Sequence, residues 1–214
     1  MKKLICPLLL AATALMASAE PEHVVSEISS PDRRFSVKII DRVMPGADSY
    51  TGFFTLVLQQ HDNILSEHPT IGYLMNAFWS PDETLVAINN RRGIGGDYLW
   101  VLSLKDGKAL KTPDDAAANA IAGKASTHCA GCDPRALDAS LTETLGWKNA
   151  TELVVRTRLL FEKKTIAIDR VALYRAEDDK LVLVSEKFER IQWPPTPKAT
   201  PMYYSPPVPA ETPK

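Results

Sequence analysis

The sequence predicts a mainly β protein, built as an antiparallel meander of hairpins with one short helical insertion. Alternating runs rich in β-branched and aromatic residues recur along the chain. Short polar turns separate neighbouring runs, and strands joined by such turns pair in the antiparallel sense. Helix signals are confined to one stretch, between about residues 113 and 146.

Eight runs are predicted as strands because their residues favour a pleated, half-buried surface. In chain order they are Val24–Ile28, Phe35–Ile40, Phe53–Gln59, Leu85–Asn89, Tyr98–Leu104, Leu153–Phe161, Thr165–Tyr174 and Leu181–Phe188. After the fifth run, Asp106-Gly107 supplies residues that tolerate positive φ, which predicts a hairpin turn. The polar residues 176–180 are predicted to join the last two runs in the same way.

The helical insertion at about 113–146 is predicted from two stretches. Asp114–Ala122 has an acidic start and an alanine run, and Gly123 follows it as a stop signal. A second short helix is predicted from about Pro134 to Leu145, with Asp133 as its N-cap. The two helices would flank a pair of cysteines.

Residues 1–19 have the three parts of an export signal peptide. Two lysines are followed by an apolar stretch, Leu4–Met16, and then by the small residues Ala17-Ser18-Ala19. The apolar stretch is shorter than the roughly 20 residues that a membrane-spanning helix needs, so cleavage would leave no transmembrane segment. We therefore predict a bacterial protein that is periplasmic or secreted.

The other end, residues 193–214, is predicted to be a Pro-rich, disordered tail. Eight of the sixteen prolines lie within Pro194–Pro213, and proline fits neither a helix interior nor a central strand. The composition favours a surface spacer, while Tyr203 and Tyr204 offer the alternative of handles for a partner with an aromatic groove. Residues 20–192 remain, enough for a single β-rich domain.

The composition of the chain excludes several protein classes. The fractions of 45% hydrophobic and 24% charged residues are those of a globular protein rather than a disordered or fibrous one. The mature chain would carry 23 Lys and Arg against 26 Asp and Glu, a formal net charge of −3. That balance provides no basic surface, so no nucleic-acid partner is expected.

A short motif recurs along the chain. Ser30–Val37 (SPDRRFSV) and Ser80–Ala87 (SPDETLVA) lie fifty residues apart, and Trp147–Val155 (WKNATELVV) is a looser third copy. Each copy begins with a turn that contains Asp or Asn and continues as an alternating strand. Such a recurrence indicates several structural units of one kind.

Residues 78–112 resemble one repeat of the TolB-type β-propeller family. The resemblance rests on Phe78–Asp82 (FWSPD), then a strand, a variable loop, a second strand and Asp106-Gly107-Lys108; Glu83 stands where the family has Gly. It implies a blade of antiparallel hairpins that binds proteins or ligands, and no catalytic residue. Propellers typically have four to eight blades of about 40–45 residues. Because the domain is short, propeller-blade-like hairpins in an incomplete propeller or in packed sheets are predicted.

Cys129 and Cys132 are the two cysteines that remain after signal cleavage. An even pair in an oxidising compartment favours a structural disulfide. A redox pair and, together with His128, a metal site are the alternatives. Covalent haem is excluded because Asp133 follows the pair, where that motif requires His. We expect no cofactor and no metal.

The segment Arg91–Asp97 (RRGIGGD) lies between the two strands of the TolB-like stretch. Its glycines would let the backbone approach a ligand, and its arginines would pair with a carboxylate or phosphate. Arg91, Arg92 and Asp97 are therefore predicted binding residues, with Tyr98 and Trp100 as an aromatic rim. The alternative is a solvated hairpin loop beside core aromatics.

The sequence contains no metalloprotease, nucleophile-elbow or phosphate-loop motif, and its four histidines are scattered. We therefore predict no catalytic residues and a binding or scaffold module, whose partner is another periplasmic protein or a small ligand. A thiol-disulfide oxidoreductase that uses Cys129 and Cys132 is the alternative. A hydrolase with a site dispersed along the sequence is left open.

Overall fold

The computed structural model describes residues 23–42, 53–91, 97–113, 117–129, 132–161 and 166–191. The predicted signal peptide and the predicted Pro-rich tail lie outside these residues. Within them the chain forms antiparallel sheets of hairpins and one short α-helix, which confirms the mainly β prediction.

The strands form three sheets, each in simple meander order. Sheet I contains β1 (His23–Ser29), β2 (Phe35–Arg42), β3 (Phe53–Gln60) and β4 (Asn63–Thr70). Sheet II contains β5 (Leu74–Trp79), β6 (Leu85–Arg91) and β7 (Asp97–Ser103). Sheet III contains β8 (Leu137–Trp147), β9 (Glu152–Phe161), β10 (Ile166–Glu177) and β11 (Lys180–Ile191). Helix α1 (Ala118–Ala125) lies between sheets II and III in sequence.

All eight predicted strands are confirmed, and three further strands, β4, β5 and β8, were not predicted. β4 lies at the edge of sheet I and contains His68 and Pro69, which weaken a strand pattern. β5 has no β-branched residue. Both segments are strands because they pair with a neighbouring strand, although their own residues have low β propensity.

The second predicted helix is wrong. Only Pro134–Ala136 is helical, as one 3₁₀ turn, and β8 begins at the next residue and pairs with β9. The predicted N-cap is confirmed, because the Asp133 carboxylate accepts a hydrogen bond from Arg135 N at 2.9 Å. Gly123 does not end the first helix, since α1 continues through it to Ala125.

The sequence motif is also a structural repeat. Its copies form the β1–β2, β5–β6 and β8–β9 turns, the first connection in each sheet. In the first copy, Ser30 Oγ donates to Asp32 at 2.7 Å and accepts from Phe35 N at 3.0 Å. In the second copy, Ser80 makes the same two hydrogen bonds, at 2.7 Å to Asp82 and at 3.0 Å from Leu85 N. The insertion that contains α1 separates the second copy from the third.

The first two turns also share their backbone conformation. Arg33 and Glu83 occupy equivalent positions and both have positive φ, at 62° and 53°. This is the position where the TolB-like pattern has Gly, the residue that adopts such φ at least cost. In the looser third copy, Asn149 takes the place of the aspartate, and its Oδ1 accepts from Thr151 N and Glu152 N.

Sheet II lies between the other two sheets and is buried on both faces. Alternate residues of β6 face opposite ways: Val86 and Ile88 join the apolar cluster shared with sheet I, and Ala87 joins the cluster shared with sheet III. β6 therefore shows a continuous run of buried residues rather than the alternation of a half-exposed strand. The described strands form a stack of three sheets, with no closed barrel or propeller.

The segment after β7 ties sheets II and III together. Gly107 makes the predicted turn with a φ of +70°, and Leu110 N then donates to Val101 O at 2.8 Å. Lys111 N donates to Asp179 O at 2.7 Å, and Leu181 N donates to Lys111 O at 2.9 Å. This segment brings the β10–β11 turn against sheet II and forms one wall of the cleft described below.

We predict that Ser80→Ala lowers the free energy of unfolding by about 2 kcal/mol, because it removes the side-chain acceptor of the part-buried Leu85 amide and the hydroxyl that holds Asp82. Ser30→Ala should cost a similar amount, since its turn has the same hydrogen bonds. The measurement is urea denaturation, with Ser185→Ala on an exposed position of β11 as the control. A Ser80→Ala loss no larger than the control would contradict the assigned turn geometry.

The same turn predicts a dependence on pH. Burial raises the pKa of Asp82, but hydrogen bonds from Ser80 and Thr84 outweigh it and hold that pKa below its ordinary value of 3.8. The carboxylate therefore stabilises the fold above that value and loses its effect as the pH falls below it. Denaturation from about pH 7 to about pH 2.5 should show Asp82→Asn converging on the wild type as the pH falls. Asp62→Asn, in the exposed β3–β4 turn, is the control.

Candidate functional site

A cleft of about 650 Å³ opens where the three sheets meet. Its volume lies within the range of small-molecule sites, roughly 300–1,000 Å³. The walls come from β4 of sheet I, from the segment after β7 of sheet II, and from the β10–β11 turn of sheet III. The lining residues are Ser66, His68, Ser103, Asp106, Gly107, Lys108, Ala109, Leu110, Lys111, Asp178 and Asp179.

His68 and Ser66 project from β4 on the same side of the strand. His68 Nε2 lies 3.1 Å from Ser66 Oγ and 3.3 Å from the carbonyl oxygen of Gly107. A carbonyl oxygen can only accept, so this geometry favours a proton on Nε2 that is donated to Gly107. In that tautomer His68 Nε2 has no lone pair that could take the proton of the Ser66 hydroxyl.

A short turn after β7 fixes the polar floor of the cleft. Gly107 lies so close to β4 that a Cβ atom there would come within 2.7 Å of Ser66 Cβ. Asp106 accepts from Lys108 N at 3.2 Å, and its carboxylate lies 3.4 Å from the Lys108 ammonium group. A hydrogen bond from the Ser103 hydroxyl is the main cause that lowers the pKa of Asp106. Asp106 is thus an anion held in place by its own turn.

Charges of both signs face the opening of the cleft. Lys108 and Lys111 come from the segment after β7, and Asp178 and Asp179 come from the β10–β11 turn. These four side chains are exposed. The backbone hydrogen bonds that Lys111 makes with Asp179 and Leu181 hold the two chain segments together. The arrangement offers an ammonium site and a carboxylate site on one ligand-sized opening.

The binding residues that the sequence predicted lie on β6 and β7 and in the connection between them. Arg91 is exposed at the end of β6 and pairs with Asp97, the first residue of β7, whereas Tyr98 pairs with Asn90. Trp100 instead packs half-buried against the cluster between sheets I and II, with its ring centroid 5.2 Å from that of His68. Arg92 lies outside the described residues, and the side chains of Asp97 and Tyr98 are likewise not described.

Arg91 and the cleft lie at opposite ends of β7. The exposed residues Tyr73 and Leu74 adjoin Arg91: Tyr73 N donates to Arg91 O at 3.2 Å, and Leu74 pairs with Arg91 in the sheet. The cleft was not predicted from the sequence, although the predicted Asp106-Gly107 turn forms part of one of its walls. Its other walls come from β4 and from a turn about seventy residues further along.

Cys129 and Cys132 form a disulfide beneath α1. Both residues are buried, at 6% and 3% exposure, and they pack with Ile121, Leu159 and Ile168. The pair follows the end of α1 and precedes only a three-residue 3₁₀ turn, so no α-helix N-terminus points at either sulfur. Among the described residues, no full helix begins at Pro134 that would bring the positive end of its dipole close to Cys132.

The ring of His128 stacks on that of Phe188, with centroids 5.0 Å apart. Within the described segments there is no group of three or more His, Cys, Asp or Glu residues that could hold a metal ion. None of the helical segments that the structure describes has the length and apolar character of a membrane-spanning helix.

Comparisons with known proteins do not place this chain in a family. No family model, no curated protein and no solved structure matches it. Its function is therefore argued from the geometry of the cleft and of the disulfide.

We predict that the disulfide resists reduction in the folded protein, because both cysteines are buried, which hinders an attacking thiolate. Alkylation and mass measurement after dithiothreitol should show free thiols slowly without urea and rapidly with it. Replacing both cysteines by Ala should cost about 2 kcal/mol of stability, the value expected for so short a ring. Rapid reduction of the folded protein, or catalysis of insulin reduction, would contradict a structural role.

Proposed function

We propose that this chain is an exported, non-catalytic binding module whose cleft holds a small polar ligand with both an amino and a carboxylate group. The observation that carries the proposal is that all three sheets contribute to one cleft with charges of both signs. A short peptide or a free amino acid has this chemistry.

Each part of such a ligand has a complementary group in the cleft. The exposed carboxylates of Asp178 and Asp179 suit an ammonium group, and the ammonium groups of Lys108 and Lys111 suit a carboxylate. The hydroxyl of Ser66 can donate to or accept from a peptide group, and the hydroxyl of Ser103, which donates to Asp106, can accept from one. Charged groups of both signs together with neutral hydrogen-bonding groups are what a zwitterionic ligand requires.

The cleft is better suited to binding than to catalysis. Ser66 is the nucleophile nearest to a histidine, yet the Gly107 carbonyl favours the His68 tautomer that cannot take its proton. The surroundings are also rigid, since backbone hydrogen bonds from Lys111 lock two walls together. A rigid, preformed site costs little conformational entropy when a ligand binds.

The predicted export signal and the TolB-like stretch are consistent with this proposal. TolB-type repeats are expected to form binding blades, and residues 78–112 provide Ser103, Asp106 and Lys111 to the cleft. The alternative, a thiol-disulfide oxidoreductase that uses Cys129 and Cys132, has less support. Both sulfurs are buried, whereas redox-active cysteines need solvent access and a lowered thiol pKa.

We predict that triglycine with free termini binds the protein, as measured by calorimetric titration. Lys111→Ala and Asp179→Asn should each weaken binding about tenfold, because each removes one charge-assisted hydrogen bond. Lys105→Ala and Glu177→Gln are matched controls, since both remove a nearby exposed charge that does not line the cleft.

Triglycine with both termini blocked should not bind. Binding of the blocked peptide with equal affinity would contradict recognition of the end charges. Binding of free triglycine that neither cleft variant weakens would place the site elsewhere. No binding of free triglycine to the folded wild type would contradict the proposed ligand class.

A further inference from the structure

The outer edge of β11 is the longest strand edge that the described residues leave largely open. β10 pairs with one side of β11 from Lys180 to Ile191. On the other side, Lys111 reaches only the start of the strand, where Leu181 N donates to Lys111 O at 2.9 Å. Beyond the bulge at Val184, none of the described backbone groups bonds to this side of residues 185–191.

Alternate backbone groups of residues 185–191 point to that open side. Ala176 N, on β10, donates to Thr151 O on the β9 side of the strand. Because β10 pairs with β9 without a bulge, the residues an even number of positions away face β9 in the same way, namely Ala172, Arg170 and Ile168. Their partners on β11 are Glu186, Phe188 and Arg190. The N–H and C=O groups of these three β11 residues therefore point away from β10, where another strand could pair with them.

Other strand edges in the described part of the fold are occupied or interrupted. The Asn89 side chain bonds to Thr142 O and Thr144 N at the edge of β8. The segment after β7 bonds back to the edge of that strand, and β1 contains a bulge. Such devices hinder an edge from pairing with another chain. The edge formed by residues 185–191 is regular and carries only charged side chains as protection.

The order of these charges is self-complementary. Ser185–Ile191 has the sequence SEKFERI. When two such segments run antiparallel with Phe188 opposite Phe188, Glu186 lies opposite Arg190 and Lys187 lies opposite Glu189. Opposite charges directly across a strand pair stabilise it, and like charges destabilise it. The pattern thus favours a second copy of the segment over an unrelated strand.

We propose that the protein forms a dimer in which β11 of one copy pairs antiparallel with β11 of a second copy, around a two-fold axis at Phe188. The two copies of sheet III then form one continuous sheet, with four strands from each copy. Each copy contributes the same residues, as a two-fold interface requires. Backbone hydrogen bonds at the three outward-facing residues hold the strands together, and the charge pairs fix their register.

The proposed axis also brings two aromatic side chains together. Phe188 packs half-buried against the cluster beneath α1, and its ring stacks on His128. Side chains directly opposite each other in an antiparallel pair have Cβ atoms about 4.5–5.5 Å apart, so the two Phe188 rings lie side by side. Dimer formation therefore removes apolar surface of both rings from water, which favours association.

The proposed dimer leaves the cleft open. Asp178 and Asp179 lie in the turn that precedes β11, whereas the pairing begins beyond Val184. The dimer and the proposed ligand are therefore independent, and failure of either proposal leaves the other standing.

The first test is sedimentation equilibrium of the purified protein over a wide range of concentrations. We expect a mass that rises with concentration to that of two chains. Lys187→Glu places like charges opposite each other at two equivalent positions, and it should raise the dissociation constant about tenfold. Lys187→Glu combined with Glu189→Lys restores opposite charges and should recover the wild-type affinity. Lys180→Glu, exposed at the start of the same strand, is the matched control.

The register is tested with two cysteine variants, Lys187→Cys and Glu189→Cys. Positions 187 and 189 of the two copies form a pair without backbone hydrogen bonds between them, about 4.5 Å apart at Cα, which a disulfide can bridge. A mixture of the two variants under mild oxidation should therefore form a covalent dimer. Either variant alone should do so far more slowly, because its cysteines lie diagonally, about 7–8 Å apart.

Hydrogen exchange shows whether the edge itself is covered. The outward-facing amide of Phe188 should exchange more slowly as the protein concentration rises, while the amide of Lys187, which faces β10, is protected at every concentration. A single-chain mass at all concentrations would overturn the proposal, and a protected Phe188 amide in that monomer would show that a segment of the same chain covers the edge. A dimer that Lys187→Glu does not weaken would place the interface elsewhere.

Discussion

The structure depends on the burial of sheet II on both faces. Its strands are too apolar to face water: Val86 and Ile88 point to one side, and Ala87 and Val101 point to the other. Sheet II therefore requires a neighbouring sheet on each face, and the two apolar clusters on either side of it form one continuous core. The two outer sheets need only one apolar face each, which leaves their other faces for charged pairs such as Arg158–Asp169.

Polar contacts fix how the apolar layers are aligned. Asn89 of sheet II donates to Thr142 O at 2.9 Å and accepts from Thr144 N at 2.8 Å, both in sheet III. Trp147 Nε1 adds a hydrogen bond of 2.7 Å to Phe78 O. Apolar contact alone would tolerate a slide of one sheet over the next, whereas these hydrogen bonds are satisfied in only one alignment.

This alignment explains where binding chemistry collects. Segments from all three sheets meet at the cleft because Lys111 bonds to the β10–β11 turn. One part of the inner face of sheet III packs against sheet II, and the next part packs against α1 and the disulfide. Arg170 lies where these two parts of the face meet. Polar and charged groups thus occupy the boundaries between apolar clusters.

The sequence by itself determined the features whose physical cause lies within a few residues. These are eight strands with β-favouring residues, the Ser-Pro-Asp turns that close on their own hydrogen bonds, the Asp133 cap and the Asp106-Gly107 turn. Only the tertiary structure decided the fate of residues 137–147, where pairing with β9 overrides local helix preference. The cleft and the surroundings of Arg170 also depend on it, since their side chains come from distant segments. The local pattern of apolar residues indicates which side chains are buried, but it does not show which distant strand they contact. The positions of the residues in the proposed sites depend on those contacts between distant strands.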